Sequence, residues 1–85
     1  MKNIEDVYPI AEAMAADFER ERGAQLAHAD RATAYLVFLE LEYNYPRALT
    51  FRTLENRHED DAEFCPQIAA EALAYFQARK EKPAR

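Results

Sequence analysis

Three groupings of residues have the side-chain types that chemistry needs. The run His58-Glu59-Asp60-Asp61, with Cys65 shortly after it, brings an imidazole, carboxylates and a thiol close together in the chain. These groups ligate metals, but their spacing matches neither the paired cysteines of zinc sites nor a helical H-E-x-x-H arrangement. A polar cluster between two apolar-periodic segments reads as a solvated acidic turn. Cys65 stands at the expected start of a helix, where the dipole can activate a thiol. Asp60, Asp61 and Glu63 lie just upstream, and negative charge opposes thiolate formation. A half-buried, inert cysteine is the expectation. His28 has Asp30 two residues on, an offset that does not align side chains on a helix, so it reads as a surface histidine.

Other chemistries lack their raw material. The sequence holds no serine, and its one glycine, Gly23, rules out glycine-rich phosphate and dinucleotide loops. A chain of 85 residues also has little material for a water-excluding cleft. No catalytic residue, cofactor site or metal site is expected. With a single cysteine no internal disulfide forms, which suits a reducing compartment. The start Met1-Lys2-Asn3-Ile4-Glu5-Asp6 is acidic by its fifth residue and has no apolar signal core. The longest apolar run, Ala34 to Leu39, is far short of the roughly 20 residues of a membrane span. A cytoplasmic protein without membrane contact is expected.

The elements that must carry these residues are helices. Alanine occurs 17 times, and valine and isoleucine together 5 times. Alanine is the best helix former, whereas β-branched residues favour strands. The composition and spacing predict an all-α fold, a compact bundle of three to four short helices over residues 1–78, followed by a basic, disordered tail over 79–85. The first helix is expected to be capped by Asp6, which puts Pro9 in the first turn where its missing N–H is not needed. Val7, Ile10, Ala11, Met14 and Phe18 form its apolar stripe, and Gly23 stops it. Residues 24–29 are helix-compatible, so a kink at Gly23 is an alternative to a full break. A second helix capped by Asp30 runs through Tyr43; it is apolar around most of its circumference and is placed at the centre of the fold. It ends before Pro46, where a pre-proline residue leaves the helical region. A third helix is expected from Pro46 to about Arg57, and the last from Pro66.

Charge is distributed unevenly. The formal net charge is −5. Residues 3–19 contain Glu5, Asp6, Glu12, Asp17 and Glu19 with no base, and residues 58–78 contain Glu59, Asp60, Asp61, Glu63 and Glu71 with no lysine or arginine. Glu12 and Glu19, seven apart, share one column of the first helix. Acids near helix starts favour the helix dipole and need no partner; the same surfaces can dock on a basic patch. Arg47, Arg52 and Arg57 step by five, about 140° per step on a helix, so they make no DNA-facing stripe. Arg57 can pair with Asp60 or Asp61 if its helix continues. Tyr43 and Tyr45, with Phe51, are candidates for an exposed aromatic patch.

These features point to a non-catalytic, acidic protein-binding module. Its expected partner is a protein with a basic surface, met through Glu12, Glu19, Glu59, Asp60, Asp61, Glu63, Tyr43 and Tyr45. In size, charge and helical composition it is analogous to small bacterial or phage proteins that neutralise another protein: inhibitors, antitoxins and immunity proteins. A homodimeric assembly protein is the first alternative. A small helical nucleic-acid regulator is the second, and the acidic charge disfavours nucleic acid as a partner.

Overall fold

A computed structural model describes residues 3–81. It contains four helices: α1 (Ile4–Arg22), α2 (His28–Leu39), α3 (Phe51–His58) and α4 (Pro66–Glu81), with a π-helical turn over Glu40–Asn44 continuing α2. No strand occurs among the described residues. Helix α2 packs against both α1 and α4, while α3 lies on α4. The central position expected for the second helix is therefore observed. Val7, Ala11, Ala15 and Phe18 of α1 meet Ala34, Val37 and Phe38 of α2 and Ile68, Ala69, Ala72, Leu73 and Phe76 of α4 in one core. Phe76 anchors it edge-on against Phe38, with ring centroids 5.2 Å apart, the edge-to-face geometry that ring quadrupoles favour. Alanines at 11, 15, 34, 69 and 72 are fully or almost fully buried. Small side chains there let α1 and α4 each approach α2 closely.

Several element boundaries differ from the sequence expectation. Helix α1 begins at Ile4 after Asn3, so Asp6 lies inside it and Pro9 is an interior residue. Pro9 and its neighbours Tyr8 and Ile10 are exposed, as is Glu5, whose carbonyl loses the hydrogen bond that Pro9 cannot donate. Only one turn precedes the proline, and water can meet the freed carbonyl. Gly23 ends α1 in the left-handed conformation, φ 74°, and its N–H bonds the Arg20 carbonyl at 3.0 Å, an αL stop that glycine adopts without steric cost. The break is complete.

Helix α2 starts at His28 rather than after Asp30, which occupies its first turn. The start is set from outside the helix. A Glu19 oxygen accepts the Leu26 N–H at 2.7 Å, and the other Glu19 oxygen accepts from Arg31 at 3.1 Å. The end of α2 is also altered, because the Tyr45 N–H reaches the Glu40 carbonyl at 2.6 Å across five residues, a widened π turn. Residues Pro46–Ala48 form a turn, and α3 begins only after Thr50, whose hydroxyl accepts the Thr53 N–H at 3.1 Å. A threonine cap that satisfies a first-turn donor outweighs proline's preference for a helix start. Helix α4 begins at Pro66, as expected, but it extends through Glu81, so positions 79–81 of the expected disordered tail are helical. Residues 82–85 of the expected tail lie outside the described residues.

Candidate functional site

On α2 the buried side chains are Thr33, Ala34, Val37 and Phe38. The opposite side carries Ala32, Tyr35, Leu36 and Leu39, all half-buried. Spacings of three and four put these four residues on one stripe. Tyr35 and Leu39 pack against the edge of the core and keep part of their surface exposed, so the stripe presents a contiguous, partly covered apolar strip to solvent. Tyr43 follows Leu39 by four residues and is 44% exposed.

Two hollows flank this stripe and share Ala32 and Tyr35. One, of about 430 Å³, lies toward α1 and is bordered by Glu12, Ala15, His28 and Arg31. The other, of about 200 Å³, lies toward the connection into α4 and is bordered by Leu36, Leu39, Asp61, Glu63 and Phe64. Acids from both base-free stretches thus border one apolar face from opposite sides.

Each border is held by identifiable contacts. Toward α1, Tyr8 stacks on Tyr35 with centroids 6.5 Å apart and planes inclined by 21°. Partial burial, then the Glu12 carboxylate and Tyr8, push the Tyr35 hydroxyl above the ordinary tyrosine pKa. Toward α4, Thr33 fastens the connection to α2. Its hydroxyl accepts the Cys65 N–H at 3.2 Å and lies 3.1 Å from the Glu63 carbonyl and 3.0 Å from the Ala29 carbonyl. Asp61 shapes the turn itself, accepting the Glu63 N–H at 3.0 Å. His58 stacks on Phe64 at 5.6 Å and places Nδ1 3.9 Å from Asp61.

The expected binding residues therefore divide. Glu12, Asp61 and Glu63 border the α2 face, and Glu59 and Asp60 lie exposed in the same connection. Glu19 is directed away into the α1–α2 corner, where its side chain is only 17% exposed. Tyr45 is half-buried, and its hydroxyl accepts from Arg57 at 2.8 Å. Arg57 does not pair with Asp60 or Asp61. Its Nε lies 3.3 Å from Glu40, and the Tyr45 hydrogen bond, then Glu40, raise its pKa further. Cys65 is a free, half-buried thiol and His28 an exposed first residue of α2, both as expected.

Glu40 went unnoticed in the sequence. It is 4% exposed, accepts the Asn44 amide at 2.6 Å through one oxygen, and lies 4.0 Å from His58 Nε2 through the other. Neither Glu40 Oε2 nor His58 Nε2 has a hydrogen-bond partner among the described residues. The available signal was a carboxylate between Leu39 and Leu41 in a helix apolar on most sides. Its pairing with Arg57 and Asn44 gives it a role in closing the π turn over α3. Among the described residues no cluster of three or more His, Cys, Asp or Glu side chains could hold a metal ion, and no helix is long and apolar enough to cross a membrane. No family model, no curated protein and no solved structure matches the chain.

Proposed function

We propose that this protein is a non-catalytic binding module that occupies a basic surface of a protein partner, as small inhibitors, antitoxins and immunity proteins do. One observation carries the reading: acids from two separate stretches of the chain border a single apolar face on α2. Apolar contact provides affinity, and complementary charge provides register and rapid encounter. The same borders disfavour other occupants. A second copy seated through this face would set carboxylates against carboxylates, and nucleic acid or anionic lipid would be repelled.

The test is capture from extracts of the native cell, with the wild type beside a variant carrying Glu59→Gln, Asp60→Asn and Glu63→Gln. These three side chains bond to no described residue, so the variant leaves the fold intact. The expected result is a protein with a cationic surface that the wild type retains, that rising salt releases, and that the variant loses. Equal retention by both proteins rejects the proposal.

A further inference from the structure

We infer that the segment seated on the outer face of α2 is a basic amphipathic helix of the partner, resting on the reading above that the partner is a cationic protein. The face has the shape and charge of such a seat. From Ala32 to Leu39 its stripe rises about 10 Å, or two turns. Tyr35, Leu36 and Leu39 offer apolar surface along its length. Glu12 borders one side, and Asp61 and Glu63 the other.

An occupant must present apolar side chains to the stripe and cations to both borders at once. A helix with leucine-like residues at spacings of three and four, flanked by lysine or arginine, does so over two to three turns. An extended segment sends alternate side chains away from the face, and the described residues offer no sheet edge to hold its backbone. The wider hollow suits a long cationic side chain. Glu12, Ala15, Ala32 and Tyr35 line it together, so a guanidinium or ammonium entering it finds a carboxylate and an aromatic side chain on the same wall. Arg31 at its edge is paired with Glu19 at 3.1 Å.

The probe is a fluorescent peptide of about 14 residues, roughly four helical turns, built from leucine and lysine with the leucines in one stripe. A scrambled peptide of the same composition controls for charge alone. Anisotropy at low salt should show the striped peptide binding about tenfold or more tighter than the scrambled one, a difference of about 1.4 kcal/mol. Leu36→Asp and, separately, the double variant Glu12→Gln with Glu63→Gln should each weaken it about tenfold, with circular dichroism unchanged. The double variant replaces only exposed carboxylates, so it reads the seat even if Leu36→Asp fails to fold. Equal binding of the two peptides, or indifference to both variants, overturns the helical seat. The two proposals fail differently. If the cellular partner is lost by the Glu59, Asp60 and Glu63 variant but kept by a folded Leu36→Asp protein, the acidic module stands and the helix on α2 does not. If the charge variant keeps the partner, the module itself is wrong.

Discussion

At the corner between α1 and α2, Glu19 commits both carboxylate oxygens to the fold, one to the Leu26 N–H and one to Arg31. Beyond the other side of α2, Glu59, Asp60 and Glu63 carry side chains that bond to no described residue and face water. All four are acids in base-free stretches, and a count of charge treats them alike. The difference lies in what each carboxylate meets. Glu19 faces backbone and guanidinium donors brought to it by the Gly23 stop, whereas the acids before α4 stand on a connection whose own donors are already taken by Asp61 and Thr33. Glu40 extends the first class to the interior, bonded to Asn44 and close to Arg57. The comparison teaches that an acid is available to a partner only where the fold has left it unbonded.

Substitutions can break or sharpen this division. The largest effect is expected at Glu40. Glu40→Ala removes the acceptor for Asn44 and empties a buried position, and should lower stability by about 1–3 kcal/mol in urea denaturation. A loss below half a kcal/mol would mean that Glu40 is not part of the structural class. Next is Thr33→Val, which keeps the shape but leaves the Cys65 N–H without its acceptor. It should cost about 1–2 kcal/mol, and amide exchange should accelerate in residues 61–65 while the centre of α1 stays protected.

Glu19→Gln keeps one acceptor oxygen and loses the charge that Arg31 meets, so a smaller loss of about 0.5–1 kcal/mol is expected, screened in part by salt. The combined Glu59→Gln, Asp60→Asn and Glu63→Gln protein should stay within about 0.5 kcal/mol of wild type, as surface changes without buried partners do. A destabilisation above 1 kcal/mol would erase the contrast. The smallest effect is spectroscopic. Glu12→Gln removes one of the charges that raise Tyr35, so the phenol should ionise at lower pH in an ultraviolet titration; an unchanged curve would place Glu12 away from that ring.

Much of the fold was legible from local rules. Gly23 reads as a stop because the left-handed stop suits a residue without a Cβ, and Pro66 reads as a helix start because its missing N–H is not needed there. The stripe at spacings of three and four places Val7, Ala11 and Phe18 in the core and Met14 at its edge, but it also takes in Ile10, which is 42% exposed beside Pro9. The rules misjudged Pro9, because an exposed helix face tolerates a lost bond. They misplaced α3, because the Thr50 cap competes with Pro46. The π turn left no local signature beyond a glutamate flanked by leucines.

Of the candidate site, the acids and their segregation were visible, and their geometry was not. Glu12 and Glu19 occupy one column on paper, yet one borders the α2 face and the other braces a corner. Composition and periodicity determined that this chain forms helices, where its apolar stripes fall and how unevenly its charge is placed, since those depend on contacts within about four residues along one helix. Which carboxylates are bonded, which face of α2 stays open and which two stretches border it were decided by tertiary structure alone. Those outcomes rest on pairs far apart in the chain, such as Glu19 with Arg31 and Thr33 with Cys65, and only the packed bundle brings such pairs within hydrogen-bond reach.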